Sequence, residues 1–533
     1  MWRWGGAIAR FLLGPRDAWL PTLALVLPAV LWFSLEGGRL EPFEIGPYAK
    51  MELYTRLAAE GSQRVGTESR FQVHQPGPTF FYAAAPIYVL LGETTRAMAA
   101  ASLAWNIVFL LAFMRGASRL APGIGPLAAA IVLGALLWAR GPGLMMSWFN
   151  IHVALLPFGV ALLASARIAT GEARALPVLV LAASIVMQCQ VAWVPGVALP
   201  AVAGFVLLVL PAVRRALRIP TRGPGLTLGT SAAAVLVAFP LWALPVIDEF
   251  AGEYRNFHRL LAVGQARTPR SWLGTLRPAA NALRLARGHP AEDALSVPRY
   301  RPLAFQAALV AGALIVGGWL AARRRAATGA LALVTAIALI AVPIAVRYVP
   351  GRFLAAYLFE WASIVTLSAL LVVGTEFLGR ATRQHPPRHL AVVTLAALSG
   401  LLVANAIATS ASMTRARDAT SAAIEDTTRA IQAKVAADLP PGRRFLVRVA
   451  AQKNQDVEIG LILALDKAGL RFGVEPFGSH RLEGHFTPRG DEWAELLVGP
   501  LPSRQGAVPI GAPGGIRVVW QRLWGGVGDL AAQ

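Results

Sequence analysis

The sequence predicts an α-helical polytopic membrane protein with about eleven transmembrane helices and a small α/β domain at its C-terminal end. Three observations carry this. Of 533 residues, 56% are hydrophobic and only 15% charged. The apolar residues gather into stretches long enough to span a bilayer, and from about Ser412 onward the pattern becomes soluble in character.

A helix needs roughly 17 to 25 predominantly apolar residues to cross. Eleven stretches qualify, near 19–35, 97–114, 120–139, 151–168, 175–193, 195–212, 226–246, 302–321, 328–346, 353–377 and 390–409. Thr79 to Gly92 is apolar too but falls short, so it is expected to enter the interface without crossing. Charge provides a check. With the N-terminus inside, Arg115/Arg119, Arg167/Arg174, Arg214/Arg215/Arg218/Arg222, Arg323/Arg324/Arg325 and Arg380/Arg383/Arg388 all fall on the cytoplasmic side, as positively charged loops should. Counting 79–92 as a span would move every cluster outside. Arg3, Arg10 and Arg16 precede the first apolar run and no small-residue cleavage pattern follows, so that run is read as an uncleaved anchor. The expected location is the cytoplasmic (inner) membrane.

The formal net charge is +21, from 50 Lys and Arg against 29 Asp and Glu. In a soluble chain that would point to nucleic acid. Here most basic residues sit in short segments between spans, so the expected partner is membrane lipid and no nucleic acid. The single cysteine, Cys189, excludes an intrachain disulfide.

Residues 1–411 are read as the transmembrane domain, with outer loops 36–78 and 248–301, and 412–533 as an extracytoplasmic α/β domain. Within the outer loop 248–301, Tyr254 to Leu261 has the pattern of an amphipathic interfacial helix. In the C-terminal domain, Thr414 to Leu439 reads as a helix ended by Pro440-Pro441-Gly442. Arg444 to Ala450 reads as a strand, Asp456 to Lys467 as a helix ended by Gly469, and Leu470 to Glu475 as a second strand: one β-α-β unit. Glu495 to Val498 and Ile516 to Trp520 supply two more strands. No glycine-rich phosphate fingerprint follows the first strand, so nucleotide binding is not expected.

Candidate chemistry lies on the outer side. Ser69 to Tyr82 runs from a polar turn into an aromatic segment, and residues ahead of proline are pushed out of helical geometry, so Gln75-Pro76-Gly77-Pro78 is a stiff extended turn. It presents Arg70 and His74 beside Phe80, Phe81 and Tyr82. Glu36, Glu41, Glu44, Glu52 and Glu68 supply carboxylates, any of which could act as a general base or be an exposed loop acid. Arg347 and Arg352 flank the outer turn Val349-Pro350-Gly351, where they suit a phosphate or neighbouring headgroups. Gln188 and Gln190 lie near the outer end of a span, where a polar side chain lines a cavity or bonds a neighbouring helix. The eight histidines show no metal-ligand spacing; His480 and His485 share a loop with Glu483 without forming a recognisable set. No cofactor is expected, and dependence on a divalent metal stays open.

These elements resemble the GT-C superfamily of polytopic glycosyltransferases, and are similar to its branch of polyprenyl-phosphate-arabinofuranose-dependent arabinofuranosyltransferases. The matching residues are Ser69, Arg70, Phe71, His74, Pro76, Gly77, Pro78, Phe81 and Tyr82, then Trp148, Asn150, Leu156, Pro157 and Phe158, then Gln188, Trp242, Pro245 and Asn256. They are spread over residues 40–260, with His-x-Pro-Gly-Pro the most specific. The resemblance implies transfer of a sugar from a polyprenyl-phosphate donor to an extracytoplasmic glycan, lipid or protein acceptor. It implies Glu44 or Glu52 as base, with Arg70, His74, Tyr82, Asn150, Gln188, Arg347 and Arg352 at the substrate. A polyprenyl phosphate leaves readily, so one carboxylate suffices where a glycosidase needs two. Two departures stand out. Pro47 occupies the place of an aspartate, and Gln188-Cys189-Gln190 stands where Gln-x-His is expected. A transporter or flippase of a lipid-linked or polar solute, or a non-catalytic relative in envelope assembly, are the alternatives.

Overall fold

The computed structural model describes residues 18–36, 46–69, 73–223, 225–252, 255–265, 269–283, 302–324, 326–349, 356–381, 388–413, 419–449, 456–475, 486, 488–489, 492–498, 507–513 and 517–522. The first helices are α1 (Trp19–Glu36), α2 (Gly46–Ala59), α3 (Thr79–Leu90), α4 (Thr95–Leu120), α5 (Ile124–Arg140) and α6 (Asn150–Ala169). Then come α7 (Leu176–Cys189), α8 (Val194–Val209), α9 (Pro211–Ala216), α10 (Leu228–Ala251), α11 (Asn256–Gln265) and α12 (Trp272–Ala282). The last are α13 (Pro302–Arg324), α14 (Thr328–Tyr348), α15 (Trp361–Ala381), α16 (Arg388–Met413), α17 (Ala419–Asp438) and α18 (Asp456–Lys467).

Each predicted span contains an α-helix; that of 353–377 begins at Trp361, and residues 353–355 lie outside the described residues. Among the described residues, 8 helices are long and apolar enough to cross a membrane, and α1, α5 and α7 are apolar but shorter. At 12 residues, α3 rises only about 18 Å, well short of a bilayer. Two elements, α2 and α12, were not anticipated in the loops. Gly46 opens α2 with φ +61°, and Pro47 fits the first turn, where its missing N–H has no partner to lose. Tyr254 falls outside the described residues, but α11 covers most of the predicted amphipathic stretch.

The chain folds as two compact units: Met1–Gly37, Gln75–Thr79 and Ser102–Ala411 form the first, and Gly38–His74, Phe80–Ala101 and Ser412–Gln533 the second. In the first unit α6 is the axis, buried almost end to end and packed on α7, α8, α14 and α15. It is apolar all round, the pattern of a helix enclosed by others. Lipid tails are as apolar as leucine, so such helices associate through close packing at small residues. A Cβ on Gly204 of α8 would lie 2.6 Å from the Ser165 carbonyl oxygen of α6, and one on Gly159 of α6 would lie 2.7 Å from the Phe113 ring. By contrast α10 and α16 turn large apolar side chains such as Phe239 and Val393 outward.

The second unit contains the C-terminal sheet, with strands β1 (Phe445–Val449), β2 (Phe472–Val474), β3 (Ala494–Val498), β4 (Val508–Gly511) and β5 (Val518–Arg522) in the order β2-β1-β3-β5-β4. β1 pairs in parallel with β2 and β3, while β5 is antiparallel to β3 and β4. The predicted β-α-β unit is β1-α18-β2. Phe445, Phe472, Phe486 and Trp520 meet with ring centroids 5.3–5.4 Å apart and form its core. β4 was missed because Pro509 and Gly511 argue against a strand interior; it is an edge strand, where proline is tolerated.

Replacing Gly204 by alanine should lower stability by about 1–3 kcal/mol, because the clash is with backbone that cannot rotate away. Gly400→Ala, with nothing within 4 Å of the new carbon, should be near neutral. Thermal unfolding of both variants in detergent checks the contrast.

Candidate functional site

In the first unit, polar side chains concentrate at the end of the bundle where α6 begins and α7 ends. The Gln75-Pro76-Gly77-Pro78 turn is held there by amide groups. Gln188 Oε1 accepts from Thr79 Oγ1 at 2.5 Å and from the Thr79 amide at 3.3 Å. Gln188 Nε2 donates to the Leu241 carbonyl of α10 at 2.7 Å. Gln75 Oε1 accepts from the Val191 amide at 2.8 Å, and Asn256 Nδ2 donates to the Gln75 carbonyl at 3.2 Å. Asn150 Nδ2 donates to the Cys189 carbonyl at 2.8 Å. Any side chain at Gly77 would collide with the Gln188 amide.

Two residues further along α6, His152 joins a buried polar cluster. Its Nε2 lies 3.4 Å from Glu360, whose other oxygen lies 3.4 Å from Arg140 Nη2. Ser147 Oγ is 2.6 Å from His152 Nδ1. These residues went unnoticed in the sequence, although His152 and Glu360 lie inside apolar runs, where an ionisable side chain is itself the signal.

In the second unit, Glu52 is fully buried. Its carboxylate is ion-paired with Lys467 of α18 and accepts from the Tyr88 hydroxyl at 2.8 Å and Thr95 Oγ1 at 3.2 Å. Lys467 also donates to Thr95 Oγ1 at 3.0 Å. One turn along α2, Arg56 pairs with Asp466 of α18 and, at 2.7 Å, with Glu93. Burial alone would lower the Arg56 pKa, but Asp466 and Tyr88 hold it above its ordinary value. α2 and α18 are thus joined by two buried ion pairs on adjacent turns. Two donors meet Oε1 and one meets Oε2, so this carboxylate is buried, ion-paired and a weakened base for an incoming hydroxyl.

Ahead of the proline motif, Glu68 and His74 form an antiparallel bridge and the Ser69 amide donates to the Val73 carbonyl. His74 Nδ1 lies 3.0 Å from the Gly66 carbonyl; a carbonyl only accepts, so Nδ1 carries the proton. Tyr82 donates to the Gln63 carbonyl at 2.9 Å. Arg70, Glu44 and Arg352 lie outside the described residues.

The predicted site residues therefore separate into groups. Gln188 and Asn150 meet at the end of α7. His74 and Tyr82 meet the Gly66 and Gln63 carbonyls, and Glu52 belongs to the α2-α18 ion pairs. Arg347 donates to the Arg270 carbonyl and lies over the Trp272 ring, 4.6 Å from its centroid. Arg270 answers by donating to the Val346 and Val349 carbonyls at 3.0 and 2.6 Å. Among the described residues, no group of three or more His, Cys, Asp or Glu could hold a metal ion.

Two outcomes follow from these contacts. Gly77→Ala should be strongly destabilising in the native chain and much less so in a Gln188→Ala background, a coupling of about 0.5–3 kcal/mol in a double-mutant cycle of thermal stabilities. Lys467→Met should cost about 3–5 kcal/mol by stranding the Glu52 charge, and adding Glu52→Gln should restore part of the loss.

No family model and no curated protein sequence matches the chain. Solved structures do. The crystal structure of ArnT from Cupriavidus metallidurans in the apo state aligns with a TM-score of 0.55 at 12% identity, covering 93% of this chain and 97% of that one. The same protein bound to undecaprenyl phosphate aligns with a TM-score of 0.55 at 14% identity, over the same shares. Identities this low speak to the fold, and the coverage shows that it extends over nearly the whole of both chains. The chain is an α-helical polytopic membrane protein with an ArnT-like fold and a small C-terminal sheet domain.

Proposed function

We propose that this protein is a membrane glycosyltransferase that takes a sugar, arabinofuranose on the sequence resemblance, from a polyprenyl-phosphate donor. It passes the sugar to a glycan, lipid or protein acceptor on the outer side of the cytoplasmic membrane. The observation that carries the reading is the fold shared with ArnT, a GT-C glycosyltransferase whose crystal structure holds undecaprenyl phosphate. The transporter reading is less well supported. Buried carboxylates in the first unit, Asp248, Glu360 and Glu376, sit near helix ends, whereas alternating access calls for charged or broken helices at the midplane.

In this reading the N-terminus is cytoplasmic and residues 412–533 form an extracytoplasmic domain attached to α2. The acceptor hydroxyl must lose a proton as it attacks the sugar, and the phosphate departs with the bonding electrons. Glu44 is assigned as the base, since Glu52 is already committed to Lys467, Tyr88 and Thr95. Glu52 acts by holding α2, which follows the Glu44 segment directly in the chain. Arg70, Arg347 and Arg352 are assigned to the phosphate, the guanidinium fork matching its oxygens. His74, Tyr82, Asn150 and Gln188 keep their assignment to the substrate from the sequence resemblance. Pro47 then lies in the first turn of α2, and the carboxylate that the resemblance would place there is supplied three residues earlier.

The test is turnover of a synthetic polyprenyl-phosphate arabinofuranose by the purified protein in nanodiscs, read as release of polyprenyl phosphate. Glu44→Gln should reduce kcat by roughly 10²–10⁴. Glu52→Gln should reduce thermal stability and affect kcat less. Unchanged turnover when both are replaced would sink the base assignment, and absence of turnover by the native protein with any polyprenyl-phosphate sugar would sink the enzyme reading.

A further inference from the structure

At the opposite end of α6 from Asn150, 20 residues and about 30 Å away, an arginine is buried without a counter-ion among the described residues. Arg214, on α9, is 7% exposed. Its Nε has no hydrogen-bond partner, and no ion pair reaches its side chain among the described residues. Its Nη1 packs on the turn Thr170-Gly171-Glu172, where a Cβ on Gly171 would lie 2.8 Å from it; Gly171 has φ +86°. The nearby acid is already occupied. Glu172 accepts both arms of the Arg167 fork at 3.0 and 2.7 Å. Burial would raise its pKa, but Arg167, with Arg119 and Arg222 nearby, holds it below the usual carboxylate range.

Arg222 completes the cluster. Its amide donates to the Thr170 carbonyl at 2.8 Å, and its Nη1 donates to the carbonyls of Arg119 and Leu120 at 2.9 and 3.1 Å. Arg119, Arg167, Arg214 and Arg222 therefore surround one turn that carries one carboxylate. A buried guanidinium is costly unless an anion pairs with it. Beside it, Val209, Leu210, Val213 and Leu217 are exposed apolar side chains, so a charged cradle borders a surface suited to acyl chains.

We propose that Arg214, with Arg119 and Arg222, binds a phosphate oxyanion, supplied by the headgroup of an anionic phospholipid whose chains lie along α8 and α9. The site is separate from the proposed transfer chemistry and does not depend on it. Guanidinium groups pair with phosphate through charge-assisted bonds, and basic pockets between membrane helices recognise anionic headgroups.

Native mass spectrometry of the full-length protein, after exchange into mixed phosphatidylglycerol and phosphatidylcholine, tests this. Native protein should retain phosphatidylglycerol preferentially. Arg214→Gln should weaken that preference by about fivefold or more, and Arg215→Gln, which removes an exposed neighbouring charge, should leave it unchanged. Equal retention by Arg214→Gln and native protein overturns the site, as does an equal loss in Arg215→Gln. Should Arg214→Gln fail to fold, the native protein decides the matter by thermal shift. Stabilisation by phosphatidylglycerol over phosphatidylcholine supports the site, and its absence overturns it. Equal stabilisation by inorganic phosphate at the same concentration overturns the lipid as the source of the anion.

Discussion

The amide of Gln188 is the contact on which the first unit's polar end depends. In an apolar bundle the backbone groups of an extended turn have no water to turn to, so each must be met by protein. Gln188 meets Thr79 with its oxygen and Leu241 with its nitrogen, tying the proline turn to α7 and α10 at once. Gly77 leaves the space that this requires. Gln75, Asn150 and Asn256 extend the scheme, so that side chains which look like ligand contacts in sequence are spent on placing a loop.

The second unit uses charge where the first uses amides. Glu52 and Arg56 stand one turn apart on α2 and face Lys467 and Asp466, successive residues at the end of α18. Breaking such a pair is far more damaging than never having it, because the partner is left buried and charged. The pairs therefore specify one way for α18 to meet α2. They also change the meaning of Glu52, whose acidity is used for position.

Each unit thus handles buried polarity differently, and the handling bears on mechanism. A catalytic base needs a free lone pair, and a phosphate ligand needs free donors. Glu52 is buried and ion-paired with Lys467, and Arg347 has spent part of its fork on the Arg270 carbonyl. Arg214, by contrast, keeps its donors although it is buried, which is why it reads as a place for an anion and Arg347 reads partly as a brace.

The sequence by itself determined the spans, the short α3, and the β-α-β unit of the C-terminal domain. All of these follow from local hydrophobic length or period, which needs no knowledge of distant residues. It did not show β4, whose proline and glycine disguise an edge strand, or α2, whose first turn holds the Pro47 that looked like a loss when compared with a motif. The partners of each polar residue were decided only by the tertiary structure. Lys467 lies more than 400 residues from Glu52, and Glu360 more than 200 from His152, and such pairing arises from packing. Composition can say that a buried charge must find a partner, but only the fold says which one, or that Arg214 has found none among the described residues.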